Sequence, residues 1–185
     1  MNNKATFHTY EGFINAPDAP SVRTVAICLC RETRYCGNSP RWWNVGLHSF
    51  VVADLLPEHL KFDGLVHDEP ECITGDIPHD LKTKKQRIFE DLLMERFYHA
   101  QGVKPPTAEE FKLIKKADYD AVHGEVWTGT GTKCLQSMYS KMEHVSRLTK
   151  KYRDMYTYED CLEPDGRAVK EFIRRFELYK RAVKR

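Results

Sequence analysis

Between Leu60 and Glu71, five residues share one helical face that turns from apolar to ionisable halfway along. Leu60, Gly64, His67, Asp68 and Glu71 fall at i, i+4, i+7, i+8 and i+11, the spacing that stacks side chains on one side of a helix. Leu60 marks the face as inward and Gly64 allows close packing, yet the face ends in a histidine and two carboxylates. Buried ionisable groups are costly unless they are paired or bound to a metal. A helix over about 58–71 must therefore carry either a core histidine bonded to a neighbour or part of a metal site.

Composition narrows the setting. The 185 residues suit one domain, 1–185, with a single sizeable core. Hydrophobic residues make up 41% and charged ones 30%, the balance of an ordinary soluble globular chain. A net charge of +2 provides no strong field for nucleic acid or a membrane surface. The start, Met1-Asn2-Asn3-Lys4-Ala5, lacks the apolar core of a signal peptide, and the apolar run Val25 to Cys30 is too short to span a bilayer. The six cysteines include no Cys-x-x-Cys pair and are expected reduced and mostly buried. The expected location is the cytoplasm.

Helical stripes account for the rest. Residues 1–20 read as an irregular lead-in. Val22, Val25, Ala26 and Leu29 predict a helix over about 21–33 with Ser21 near its N-cap, followed by a loop at Gly37, Asn38 and Pro40. Asn44 caps a helix over about 45–56, stopped by Pro57, with His48, Val51, Val52 and Leu55 on one face. Capping boxes at Thr83–Gln86 and Thr107–Glu110 open helices to about Ala100 and Val126. The first should bury Ile88, Phe89, Leu92 and Phe97. The second carries Phe111, Ile114, Asp118, Ala121, Val122 and Glu125 inward, with Asp120 pointing roughly the opposite way. Thr128-Gly129-Thr130-Gly131-Thr132 lacks the lysine of a phosphate-binding loop and reads as a plain link. Two C-terminal helices follow over about 133–185, one marked by Leu135, Met138, Met142, Val145, Tyr152 and Met155. The other is marked by Val169, Phe172, Ile173, Phe176 and Val183. The basic residues Arg174, Arg175, Lys180, Arg181, Lys184 and Arg185 read as a solvated face. The fold class is all-α.

Three inward faces thus carry metal-ligand side chains: His48, then His67 with Asp68, then Asp118. Two imidazoles and two carboxylates suit one divalent ion such as Mn, Co, Fe, Ni or Zn, with positions left for water and a substrate oxygen. His59, His79, His99, His123 and His144 follow no such pattern and read as surface residues.

In this order, His48-Ser49, His67-Asp68-x-x-Glu71, Thr74-Gly75-Asp76-Ile77-Pro78 and Ala117-Asp118 resemble the HD-domain phosphohydrolase superfamily. The likeness is to its small YfbR-like 5′-deoxynucleotidase branch, with members common in phages and prophages, and it spans about residues 22–125. It implies an HD-type helical bundle with His48, His67, Asp68 and Asp118 as metal ligands. Glu71 would be the acid/base and Asp76 would orient the attacking water. Arg34 and Lys82 would contact phosphate, Tyr35 the sugar or base, and Mg could accompany the substrate phosphates. Trp42 and Trp43 are candidates for a purine pocket, with core packing as their alternative. The chain departs from the bacterial nucleotidase at Leu47, where an acidic residue stands in that enzyme, and at Arg34-Tyr35, which replaces an Arg-Trp pair offset by one residue. The resemblance implies a homo-oligomer, such as a dimer, acting on deoxynucleoside 5′-monophosphates. Two rival readings are a deoxynucleoside triphosphate triphosphohydrolase of dATP type and a non-catalytic nucleotide-binding module.

Overall fold

Helix α2, Val45–Leu55, is apolar nearly all the way round, and every residue from Val45 to Ala53 is buried. A helix without a polar face belongs at the centre of a bundle. A computed structural model describes residues 19–38, 42–130 and 139–183 (backbone alone at 126–130 and 139–141), and it is all-α. The other described helices are α1 (Val22–Arg31), α3 (Lys61–Val66), α4 (Glu71–Thr74), α5 (Lys84–Gln101), α6 (Ala108–Thr130), α7 (Tyr139–Met155), α8 (Tyr158–Leu162) and α9 (Arg167–Ala182). Helices α1, α3, α6, α7 and α9 all pack on α2. The backbone pairing outside helices includes one antiparallel bridge between Thr33 and Asn44. Among the described residues, no helix is long and apolar enough to cross a membrane.

Local chemistry sets four helix starts as expected. The Ser21 hydroxyl accepts from Thr24 N–H, the Asn44 side chain accepts from Leu47 N–H, and Thr83 with Gln86 forms a capping box. Thr107 and Glu110 exchange the same pair of bonds at the start of α6. These side chains satisfy backbone donors that have no partner inside the helix.

The helix expected over 58–71 is instead three pieces: a 3₁₀ turn at Glu58–Leu60, α3, and α4. Pro70 explains the break, since it has no N–H for the Val66 carbonyl and its ring crowds that turn. The chain tightens there, with Glu69 N–H bonding Val66 O and Glu71 N–H bonding Asp68 O. Gly64 keeps α3 close to α2. A Cβ at this position would stand 2.5 Å from Leu56 Cδ1 and 3.1 Å from the Ala53 Cα.

Other expectations are corrected. Phe97 is buried as expected, but Ile88 and Leu92 are 51% and 58% exposed, and α5 buries Leu93 and Tyr98 in their place. Phe111 is half exposed and Met155 lies at the surface. Asp120 is mostly buried and pairs with Lys116. Residues 128–130 continue α6 rather than forming a link, while Gly131 and Thr132, like Leu135 and Met138, lie outside the described residues. Arg175 is not on a solvated face. It turns inward to Asp54 and Tyr152 and lies over the Phe50 ring. Cys30 and Cys161 are buried, but Cys36 is exposed.

Candidate metal centre and its cleft

His48 sits on the buried middle of α2, His67 just past the end of α3 and Asp118 on the inward side of α6. The bundle brings their ligand atoms within 4.8 Å of one another. His48 Nε2 lies 3.1 Å from Asp118 Oδ1 and 3.7 Å from Asp68 Oδ2. His67 Nε2 lies 3.1 Å from Asp68 Oδ2 and 3.7 Å from Asp118 Oδ1. Two imidazole nitrogens and two carboxylates thus converge from α2, the α3–α4 turn and α6.

The other ring nitrogens are already engaged. His67 Nδ1–H donates to the Gly64 carbonyl at 2.8 Å. His48 Nδ1–H donates to Glu125 Oε1 at 2.5 Å. A carbonyl and a carboxylate can only accept, so each ring, once its other proton is displaced, presents the lone pair of Nε2 inward. Metal-ligating histidines are oriented by such outer bonds. His67 Nε2 is buried without a hydrogen bond of good geometry, and burial of such an atom is costly unless something else binds it.

Electrostatics agree with this donor set. Burial opposes ionisation of Asp68, but His67 and His48 hold it well below the usual carboxylate range. Asp118 is also held low by both imidazoles against burial. Burial favours neutral His67, yet Asp68 and Asp118 raise it to about 10. Excess negative charge here is met by ring protons, and a divalent cation can replace those protons. The residues present fit a divalent ion.

Around this cluster stands a second ring of groups. Glu71, at the start of α4, is 6% exposed, and its Oε2 is buried without a partner. Burial first, then Asp68 and Asp76, raise it to about 9, against the lowering effect of Lys82 and Arg34. Lys82 Nζ donates to Glu71 Oε1 at 3.3 Å and pairs with Glu90 at 3.0 Å. Arg34 is buried and faces Glu125 at 3.2 Å, Asp68 at 3.7 Å and Asp76 at 4.0 Å.

Arg34 belongs to a strained arm. Tyr35 and Cys36 both have left-handed backbones, with φ of 58° and 53°, a conformation that costs a non-glycine residue about 1–3 kcal/mol. Side chains hold it there. Asp76 Oδ2 accepts from Tyr35 N–H at 3.2 Å, and the Tyr35 hydroxyl donates to Glu125 Oε2 at 2.6 Å. Asp76, expected to orient water, also faces this arm through both carboxylate oxygens, Oδ2 to Tyr35 N–H and Oδ1 4.0 Å from Arg34 Nη1.

A cleft of about 280 Å³ runs outward from the cluster between α5 and α6. Of the expected site residues, His67, Asp68, Glu71 and Lys82 line it. Tyr98, Pro105, Pro106 and Phe111 also line it, as does Lys115 of α6. Trp42 and Trp43 do not line it. Trp43 is buried under Arg153, and Trp42 meets Tyr158 edge to face, which is core packing. Glu125 was visible in the sequence only as one more inward residue of α6. Its i+7 spacing from Asp118 is the signal that places it on the same stripe.

No family model matches the chain. One curated relative, the uncharacterized protein YfdR of Escherichia coli (strain K12), is 31% identical over 75 residues. The aligned part is 40% of this chain and 42% of YfdR, so the chain spans less than half the length of that relative.

Proposed function

We propose that the chain is an HD-type metal-dependent phosphohydrolase that cleaves deoxynucleoside 5′-monophosphates to deoxynucleoside and phosphate. The observation that carries this reading is the convergence of His48 and His67 Nε2 with Asp68 and Asp118, beside a buried Glu71 carboxyl at the inner end of a cleft. His48, His67, Asp68 and Asp118 would hold the ion. The chemistry it supplies when bound is Lewis acidity toward a phosphoryl oxygen and toward water.

The chain's own residues do the rest. Glu71, one turn beyond His67, serves as the acid/base that handles the proton, a role typically worth about 10²–10⁴-fold in rate. Lys82 and Arg34 hold phosphate oxygens through charge-assisted hydrogen bonds. Asp76 keeps the Arg34–Tyr35 arm in place by accepting the Tyr35 N–H. Burial of Glu71 and Arg34 strengthens the charges they carry.

A second reading is favoured by the lining of the cleft. Besides Lys82 it includes Lys115, a second cation for a phosphate tail. A triphosphohydrolase acting on a deoxynucleoside triphosphate would use that cation. Incubation with Mn²⁺ and each deoxynucleoside mono- and triphosphate separates the two. Orthophosphate from monophosphates supports the first reading, and tripolyphosphate from a triphosphate supports the second. No product from any of them, with metal bound, leaves the non-catalytic binding module.

A further inference from the structure

The carboxylate of Glu125 is 3% exposed and faces two parts of the site at once. Its Oε1 accepts from His48 Nδ1 at 2.5 Å. Its Oε2 accepts from the Tyr35 hydroxyl at 2.6 Å and lies 3.2 Å from Arg34 Nε. Among the described residues, Glu125 alone receives the Tyr35 hydroxyl and the His48 Nδ1–H. His48 is fully buried, and Tyr35 reaches Glu125 from a backbone that is left-handed for three residues running, Tyr35, Cys36 and Gly37.

We propose that Glu125 is a positioning residue that links ion binding at His48 to the ordering of the Arg34–Tyr35 arm. It rests on the metal-centre reading above. With Tyr35 and Arg34 on Oε2, the carboxylate is fixed in the plane that aims Oε1 at His48 Nδ1, and this aims His48 Nε2 at the ion. Conversely, an ion on Nε2 strengthens the Nδ1–H donor, and so anchors Glu125 and the arm it holds. Linkage between two binding events is reciprocal, so whatever orders the arm raises ion affinity by the same factor. The strain at Tyr35 and Cys36 then has a physical role. The arm is held closed by side-chain bonds rather than by its own backbone preference, and it opens readily when those bonds weaken.

The test is a calorimetric titration of metal-stripped chain with Mn²⁺, well below the unfolding temperature, for wild type, Tyr35→Phe and Glu125→Gln. Tyr35→Phe removes one hydroxyl and leaves Glu125, His48 and the ring in place. Its Mn²⁺ affinity is expected to fall about 3–10-fold, the span of one lost hydrogen bond. Glu125→Gln should fall about 10–100-fold. Mn²⁺ should also slow trypsin cleavage after Arg34 in wild type, and do so less in Tyr35→Phe. Affinity in Tyr35→Phe within twofold of wild type, or unchanged protection by Mn²⁺, overturns the linkage even if Glu125→Gln fails to fold. Wild type that binds no Mn²⁺ overturns the metal-centre reading itself, and that result is distinct from the other two.

Discussion

Lys82 Nζ bridges Glu71 Oε1 at 3.3 Å and Glu90 Oε1 at 3.0 Å, joining α4 to α5 at the inner end of the cleft. One ammonium is shared between two carboxylates, and burial keeps Glu71 protonated to about pH 9 despite it. Replacing Lys82 with Met removes a charge that lowers the Glu71 pKa, so that pKa must rise. If Glu71 works as a base, the acidic limb of the kcat/KM profile moves up, by about one pH unit for each 1.4 kcal/mol of lost interaction. The rate itself should fall roughly 10–100-fold through the lost phosphate contact. A limb that stays or moves down would show that Glu71 does not titrate in catalysis.

Glu69 supplies a stability prediction with a defined sign. It is 1% exposed, its Oε2 has no hydrogen-bond partner, and burial raises it to about 8 against a lowering effect of Arg96. Below about pH 4.5, the ordinary value, folded and unfolded chains both hold the proton and nothing is lost. Between there and 8 the unfolded chain releases it while the folded chain keeps it, so stability falls as pH rises. Glu69→Gln removes that fall. In metal-free protein the variant should gain at least about 1 kcal/mol at pH 8.5, or roughly 2–4 °C, and little at pH 4.5. Equal melting shifts at both pH values would contradict the assignment.

Close approach at Gly64 is a third test. A methyl there meets Leu56 Cδ1 at 2.5 Å and the Ala53 backbone at 3.1 Å. The side chain can move, but the backbone cannot without parting α3 from α2. Gly64→Ala should cost about 1–3 kcal/mol and weaken Mn²⁺ binding together with stability, because the same displacement carries His67 away from His48. Thermal unfolding and metal titration on one sample check both. Lost stability with unchanged affinity would mean that the two histidines are not held by this packing.

Arg175 makes a prediction independent of the cleft. Its guanidinium lies 3.0 Å from Asp54 and 2.6 Å from the Tyr152 hydroxyl, over the Phe50 ring. Arg175→Met leaves Asp54 without its nearest cation, at a cost of about 3 kcal/mol in urea unfolding, while Mn²⁺ affinity of the folded chain should hold. A loss under 0.5 kcal/mol, the range of exposed pairs, would contradict the buried network.

What the sequence made legible was local. Asn44, Pro57, Thr83 with Gln86 and Thr107 with Glu110 act within a few residues of themselves, and the helix starts at these positions follow from them. Three stripes carrying His48, His67 with Asp68, and Asp118 were readable for the same reason, and the bundle brings them together. The misreadings are long-range or concern competing signals. Helix α5 has apolar residues on more than one side, and packing buries Leu93 and Tyr98 beside Phe97 and leaves Ile88 and Leu92 exposed. Arg175 has its partner Asp54 on α2, and the Glu125 partners Arg34 and Tyr35 lie on the arm before α2. No period within one helix shows such a pairing. Pro70 is the exception, since its missing N–H is a local signal and it breaks the 58–71 stretch after α3.

The most direct measurement is a Mn²⁺ titration of metal-stripped wild type and Asp68→Ala, with dAMP and dATP turnover followed by product analysis. Wild-type turnover should start near zero, rise and saturate near one equivalent of bound ion, and release orthophosphate or tripolyphosphate. Asp68→Ala should stay at least 100-fold lower at every ion concentration. Undiminished turnover in the stripped chain, undiminished turnover in Asp68→Ala, or full occupancy without product from these or any other deoxynucleoside mono- or triphosphate would contradict a metal-dependent nucleotide phosphohydrolase.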